Sequence, residues 1–280
     1  YVCPTGHIVM RDIEDERKGG FEHSAPDPGK LAKRVADGSL LLKAQRLPGG
    51  TYDCIFAPEM AGVLAHEAFG HGMETDLFLK KRAKGEEYLG KTVGSPLVNM
   101  WDSPALGGDA GGGSFFFDHE GCAARPTQII RDGVLVSGLS DAYSARRLKL
   151  PKTPNGRRQD YGHKIYARMT NTYFSRGRDR LEEMIQSIRD GYLVDYVSSG
   201  MEDPKEWGIQ LEAKIAREIN DGRLTGRVFS PVVVTGYVPD LLRSISMVSD
   251  DFEVEGVGGC CKGHKELVQV SMGGPYLELK

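Results

Sequence analysis

Glycine is the feature that most constrains how this chain can fold, because much of it lies where the chain is predicted to turn. The sequence contains 36 glycines among 280 residues. Glycine inside a helix or strand costs free energy, whereas at a tight turn it relieves strain. Its position between short apolar runs therefore favours a sheet-rich protein with many tight connections. From residue 228 to the end, such runs and turns alternate without interruption.

Two Asp-Gly pairs give the sharpest local signals. Asp132-Gly133 and Asp221-Gly222 are both flanked by alternating apolar residues. Asp-Gly favours the two-residue turns of β-hairpins, since both positions tolerate positive φ. We therefore predict a hairpin at each pair. Two further strands, at 40–47 and 51–57, are predicted on either side of a Pro-Gly-Gly turn.

Helices are predicted in three places. A short helix is expected at 30–38, and a second at 58–71, where Pro58 suits the first helical position and Glu59 complements the helix dipole. The third is an amphipathic helix at 179–189, whose apolar residues recur at helical spacing: Leu181, Met184, Ile185 and Ile188. We expect it to cover a sheet. No low-complexity segment interrupts the chain.

Composition excludes several classes of protein. The formal net charge is −3, and hydrophobic and charged residues make up 40% and 27% of the chain, as in ordinary globular proteins. No basic excess points to nucleic acid. No apolar run reaches the roughly 18 residues that a membrane-spanning helix needs. The predicted partners therefore include neither nucleic acid nor a membrane.

Cysteine usage bears on the cellular compartment. An odd number of widely spaced cysteines with one adjacent pair makes a poor disulfide framework, which favours a reducing, cytoplasmic setting. The cysteines are Cys3, Cys54, Cys122, Cys260 and Cys261. Because the chain begins with Tyr1, we interpret residues 1–39 as an irregular leading segment, the remnant of a missing upstream domain. Residues 40–280 are predicted to form one domain.

The segment from His66 to His71 is the strongest candidate for a chemical site. The common zinc-peptidase motif spaces its histidines four residues apart, whereas His66 and His71 are five apart. On a regular α-helix this spacing rotates the second imidazole roughly 140° away from the first. A shared metal would therefore require a π-bulge or a break near Gly70. Otherwise the two histidines and Glu67 are ordinary surface residues of a helix.

A zinc site needs at least a third protein ligand. Glu74, Asp76 and the distant pair Cys260–Cys261 are candidates. The cysteines lie in a glycine-rich segment that allows the backbone to turn and present a thiolate. The alternative is that a lone cysteine is a small buried hydrophobic residue.

Several segments in this order resemble the TldD/PmbA family, the TldD/TldE peptidases once described as modulators of DNA gyrase. Together they are much more specific than any one motif, and they extend over residues 40–280. They are His66-Glu67-Ala68-Phe69-Gly70-His71-Gly72-Met73-Glu74-Thr75-Asp76, Phe117-Asp118-His119-Glu120-Gly121, Asn155-Gly156-Arg157, Arg168-Met169-Thr170-Asn171, Ser249-Asp250-Asp251-Phe252-Glu253-Val254, Gly259-Cys260-Cys261-Lys262-Gly263-His264 and Gly274-Pro275-Tyr276.

The resemblance implies a zinc-dependent peptidase acting on small or unfolded peptides. It implies that His66, His71 and Cys260 bind Zn²⁺ and that Glu67 is the catalytic acid and base. It implies an α+β fold with a large, mostly antiparallel sheet and a few helices, one of which carries the HExxxH motif. Residues 40–280 would then be a metallopeptidase C-terminal domain. The resemblance also implies a dimer, either of identical chains or with a metal-free paralogue.

Two positions depart from the family pattern. Cys261 stands where the family usually has Gly, and His264 where it usually has Gln. The first departure leaves open whether Cys261 could replace Cys260 as a ligand. We favour Cys260, since it keeps the family's spacing to Lys262.

The implied chemistry is hydrolysis by a zinc-activated water, with Glu67 as the general base. Glu74 and Asp76 are interpreted as groups that orient the histidines. Arg157, Arg168 and Asn171 either line the path of an extended peptide or make structural hydrogen bonds. The alternative function is a non-enzymatic peptide-binding or regulatory protein with a structural metal.

Overall fold

The fold is α+β in a computed structural model that describes residues 19–23, 25–106, 111–263 and 266–280. The α-helices are α1 Pro28–Leu41, α2 Pro58–Phe69, α3 Thr75–Leu79, α4 Gly85–Tyr88, α5 Ala142–Leu148, α6 Leu181–Ser187 and α7 Val238–Arg243. The strands are β1 Asp53–Phe56, β2 Met100–Asp102, β3 Thr127–Arg131, β4 Val134–Leu135, β5 Gly156–Arg157, β6 Tyr166–Ala167, β7 Asn171–Phe174, β8 Asp190–Glu202, β9 Gly208–Asn220, β10 Arg223–Phe229, β11 Val232–Tyr237, β12 Ile245–Val248, β13 Glu253–Cys261, β14 Leu267–Gly274 and β15 Leu277–Leu279. Short 3₁₀ turns lie at Phe21–His23 and His71–Met73.

The strands form two main sheets, where the sequence predicted one large sheet. Seven strands form the first, in the order β10-β9-β8-β1-β15-β12, with β11 also pairing with β9. Six form the second, in the order β13-β14-β7-β2-β3-β4, and β5 pairs with β6 separately. Most neighbours are antiparallel, as predicted, although β1–β8 and β7–β14 are parallel.

Helix α2 is the central element of the fold, because it contacts β8 and β9 of one sheet and β7, β13 and β14 of the other. It is apolar on nearly all sides, as expected of a helix enclosed by other elements. Gly62 lets it approach β14 so closely that a Cβ there would lie 2.7 Å from the backbone nitrogen of Gly273. Its side chains join the main core with Phe56, Met100 and Trp207.

Local predictions based on turn chemistry are confirmed. Asp132-Gly133 connects β3 to β4, and Asp221-Gly222 connects β9 to β10, with φ between 46° and 77° at these positions. The strand predicted at 51–57 is β1, and the amphipathic helix predicted at 179–189 is the shorter α6.

The region before β1 differs from the prediction. The structure continues helix α1 to Leu41, so the strand predicted at 40–47 is wrong, and only Gln45 makes an isolated bridge there. The leading segment 1–39 is therefore not irregular throughout its described part. Asp27 accepts hydrogen bonds from two backbone N–H groups of the first turn of α1, which explains where this helix begins.

Some sequence features lie outside the described residues. They include His264 and residues 107–110 of the glycine-rich segment 107–114. In the part of the chain that the structure describes, every helix is too short or too polar to cross a bilayer.

The contact between α2 and β14 gives a first prediction. Gly62→Val should lower the free energy of unfolding by about 1–3 kcal/mol, because the new side chain meets backbone that cannot move aside. Urea unfolding followed by circular dichroism measures this change. Gly49→Val is the matched control, since a Cβ at Gly49 has nothing within 4 Å, and we expect it to change stability by less than about 0.5 kcal/mol. Equal unfolding midpoints for the two variants would contradict the packing.

Candidate metal centre

The end of α2 resolves the spacing problem between His66 and His71. The helix predicted at 58–71 ends at Phe69, and the chain turns at Gly70 into the 3₁₀ turn that contains His71. A Cβ at Gly70 would collide with the sulfur of Met169 and the carbonyl of His66, so this turn requires glycine. Helix α2 therefore carries only His66 and Glu67 of the HExxxH motif. The break brings the two imidazole rings to 5.0 Å between centroids, at 88°.

Cys260 completes a candidate group of metal ligands. Its sulfur lies 3.3 Å from Nε2 of His71. One donor atom from each of His66, His71 and Cys260 lies within 4.8 Å of the other two. Cys260 is buried and Cys261 is exposed, as expected for adjacent residues of β13. The structure thus brings Cys260, and not Cys261, to the histidines.

These residues fit a zinc ion. Nδ1 of His66 is buried and has no hydrogen-bond partner among the described residues, so a buried donor atom lacks the contact that it would normally make. Two imidazoles and one thiolate are a ligand set that zinc accepts, with a fourth position left for water or substrate. Nδ1 of His71 lies 3.4 Å from a carboxylate oxygen of Glu74. A carboxylate behind a ligating histidine is the usual arrangement that orients such a ring.

The local charges favour a thiolate at Cys260. Burial alone would raise the pKa of the thiol, but contact with His66 and His71 outweighs burial and lowers this pKa to about 5. For His71, burial acts in the opposite direction and lowers the pKa. Hydrogen bonds to Cys260 and Glu74 outweigh burial and raise the pKa of His71 well above its usual value. A low thiol pKa favours metal binding, since only the deprotonated sulfur is a good ligand.

Arg168 forms hydrogen bonds to residues that surround the candidate metal ligands. Its side chain is completely buried and donates 3.0 Å hydrogen bonds to Glu74 and Glu266. The same guanidinium lies 2.9 Å from the carbonyl oxygen and 3.1 Å from the sulfur of Cys260. Because its partners come from segments far apart in sequence, Arg168 ties the thiol of Cys260 to Glu74, the acid that contacts His71.

Lys262 neutralises the two acids that follow the histidines. It lies 3.1 Å from Glu74 and also pairs with Asp76, whose other oxygen is 2.9 Å from Lys80. Burial would raise the pKa of Glu74, but Lys262 and Arg168 overcome this effect and hold its pKa well below the usual range. Glu74 thus contacts a histidine, whereas Asp76 contacts Lys262 and Lys80.

Arg157 and Asn171 lie inside the protein and hold neighbouring segments together. Arg157 donates to the carbonyl oxygens of Met169 and Gln269. Asn171 donates to the carbonyl oxygen of Ser103 and accepts from the N–H of Gly113. Of the two alternatives for these residues and Arg168, burial favours structural hydrogen bonding.

Glu67 lies on the last turn of α2, next to His66 in sequence and partly exposed. Its side chain packs against Gly200 of β8, where a Cβ would lie 3.2 Å from its Oε1. The absence of a side chain at Gly200 thus leaves room for the Glu67 carboxylate beside the candidate ligands.

Sequence reasoning missed Glu266, which pairs with Arg168, and Glu202, at the end of β8. Both oxygens of Glu202 are buried without a hydrogen-bond partner among the described residues. Burial raises the pKa of Glu202 to about 9, with His71 lowering it and Glu67 raising it further. No motif or spacing singles out either acid, since each reaches the site only through sheet pairing.

A comparison with models of protein families identifies the family of this chain. The model of the PmbA/TldA metallopeptidase C-terminal domain matches residues 49–280. The chain belongs to the PmbA/TldD family.

Relatives of this PmbA/TldD chain agree with that assignment. A metalloprotease from Methanothermobacter thermautotrophicus is 33% identical over 264 residues, covering 94% of this chain and 57% of that protein. A zinc metalloprotease TldD homolog from Saccharolobus solfataricus is 32% identical over 254 residues, covering 89% and 54%. The structure of TldE from Thermococcus kodakarensis shares the fold, with a TM-score of 0.71, 19% identity and coverage of 90% and 54%. The chain thus spans about half the length of the curated relatives it matches.

The different orientations of the two cysteines give a second prediction. Cys260→Ser should lose bound zinc, because the buried thiolate would be replaced by a hydroxyl that is a much poorer ligand. Cys261→Ser should keep about one zinc per chain, since its side chain is exposed. Elemental analysis of both proteins, purified without chelators and supplied with zinc, measures the difference. Equal zinc loss in both variants, or loss only in Cys261→Ser, would refute the assignment.

Proposed function

We propose that this chain is a zinc-dependent peptidase that hydrolyses small or unfolded peptides, with Glu67 as its general base. The observation that carries the proposal is the group of His66, His71 and Cys260 with a partly exposed carboxylate on the same helical turn. A purely structural metal needs no such carboxylate. The relative described as a zinc metalloprotease supports zinc as the metal.

The roles of the side chains follow from their chemistry. A zinc ion held by His66, His71 and Cys260 would supply a Lewis acid that polarises the scissile carbonyl and acidifies water. Glu67 would accept a proton from the attacking water and donate it to the leaving amine. Glu74 orients the His71 ring through Nδ1, and Arg168 holds the Cys260 thiolate in place.

The substrate is proposed to bind as an extended strand. Strand β13, which carries Cys260, lies at the edge of the six-stranded sheet and pairs only with β14 among the described strands. An extended peptide can add to such an edge through main-chain hydrogen bonds, with little dependence on its sequence. A folded protein cannot offer a free strand in this way, which favours small or unfolded peptides as substrates.

The role of Glu67 gives a third prediction. Glu67→Gln should keep its zinc and still bind peptide, because the amide is nearly isosteric with the carboxylate. Its rate of hydrolysis should fall by about 10²–10⁴-fold, since the amide cannot accept the proton. The measurements are zinc content and cleavage of an unstructured fluorogenic peptide, made on one protein sample.

The matched control is Glu182→Gln, whose side chain is 69% exposed on α6, away from the candidate site. We expect it to retain both zinc and activity. Near-normal hydrolysis by zinc-loaded Glu67→Gln would remove Glu67 from the mechanism. If wild type and both variants fail to cleave peptide although zinc is bound, the alternative of a peptide-binding protein with a structural metal is favoured.

We also propose that the chain works as a dimer, of identical chains or with a metal-free paralogue, as the family resemblance implies. The purified chain should show twice its monomer mass by light scattering if it pairs with itself. A monomer that gains both mass and activity when a metal-free paralogue is added would indicate the mixed dimer. A monomer with full peptidase activity alone would contradict the proposal.

A further inference from the structure

Glu202 is a buried carboxylate that the proposed mechanism does not use. Both of its oxygens are shielded from water and lack a hydrogen-bond partner among the described residues. An ionised carboxylate in such a place is unfavourable unless a cation or hydrogen-bond donors compensate it. Its position therefore requires an explanation that the fold itself does not supply.

The carboxylate of Glu202 lies beside the candidate catalytic residues. Residues two apart on a strand project from the same face, so Glu202 projects on the side where Gly200 meets Glu67. At its tip, Oε1 of Glu202 lies 3.2 Å from where a Cβ of Gly72 would be, directly after the ligand His71. Glu202 and Glu67 thus border the same space.

The cations of the site are already engaged by other acids. Arg168 pairs with Glu74 and Glu266, and Lys262 pairs with Glu74 and Asp76. Among the described residues, Glu202 takes part in no ion pair. Nor does it belong to the compact ligand group, which consists of His66, His71 and Cys260. A cation that compensates an ionised Glu202 would therefore come from outside this part of the chain.

We propose that Glu202 binds a cationic group of the peptide substrate, an ammonium or a guanidinium. Such a group donates hydrogen bonds to both carboxylate oxygens and neutralises their charge, and charge-assisted hydrogen bonds are the strong ones. The cation is either the free amino terminus or a Lys or Arg side chain. This inference rests on the proposed function and names the substrate class of the same site.

The last residues of the strand that carries Glu202 are paired with a described strand on one side only. Strand β1 pairs with β8 only from Gly191 to Val194, whereas β9 pairs with β8 as far as Glu202. On the β1 side, the last residues of β8 therefore have no neighbouring strand among the described residues. A peptide whose scissile bond lies at Glu67 would bring a neighbouring cationic group within reach of Glu202.

The test compares four peptides that differ only in positive charge. Each has a free or an acetylated amino terminus and either Lys or norleucine near the scissile bond. The zinc-loaded chain is assayed for kcat/KM with every peptide. Wild type should prefer a cationic peptide over its neutral counterpart by roughly 10–100-fold, as expected for a hydrogen-bonded charge pair. The pair that shows the preference identifies the cation as the amino terminus or the side chain.

Glu202→Gln should cleave the cationic and the neutral peptide with about equal kcat/KM, because the amide keeps the shape of the carboxylate but loses its charge. Glu206→Gln, an exposed acid in the following turn, is the matched control and should keep the wild-type preference. Zinc content, measured on the same samples, verifies that both variants retain a folded site. A merely structural Glu202 would alter zinc binding or stability without changing the ratio between peptides.

The outcomes separate this inference from the proposed function. Wild type that cleaves charged and neutral peptides equally, or Glu202→Gln that keeps the preference, overturns the role of Glu202 and leaves the peptidase intact. If no peptide is cleaved, binding of labelled peptides is measured by fluorescence anisotropy. Preferential binding of the cationic peptide that is lost in Glu202→Gln supports the inference alone, whereas binding without charge preference, or no binding, overturns it.

Discussion

The buried guanidinium of Arg168 is the interaction on which the rest of the site depends. It joins Glu74, after the helix break, to Glu266 and Cys260, which are 98 and 92 residues from it in sequence. Removing one partner of a buried ion pair costs about 3–5 kcal/mol, because the remaining charge is left uncompensated. The guanidinium of Arg168 must therefore stay paired with Glu74 and Glu266, and this pairing holds the thiol of Cys260 near the histidines.

Helix α2 holds the candidate ligands on packed secondary structure. It lies between two sheets, and its last turn presents His66 and Glu67, while the break at Gly70 returns His71 to the same side. Side chains held by packed secondary structure keep their geometry better than those on loops. The candidate ligands are thus held together by packed secondary structure.

Some of the buried polar atoms that lack a partner among the described residues lie where function is proposed. Nδ1 of His66 and both oxygens of Glu202 are buried without partners among the described residues, whereas Glu74 and Arg168 beside them are fully paired. Such groups reduce stability, and they persist in proteins when function requires them.

Local chemistry was readable from the sequence alone. Asp-Gly pairs specify both hairpins. The five-residue spacing of His66 and His71 requires a π-bulge or a break near Gly70 if both rings are to share a metal, since one helical face cannot hold both rings. The resemblance to a known family supplied the α+β class and the choice of Cys260. The division into two sheets, the extension of α1 to Leu41, and the contacts of Glu266 and Glu202 were decided only by tertiary structure. These features depend on pairing between residues far apart in the chain, and sequence periodicity within one segment carries no information about which distant segment will pack against it.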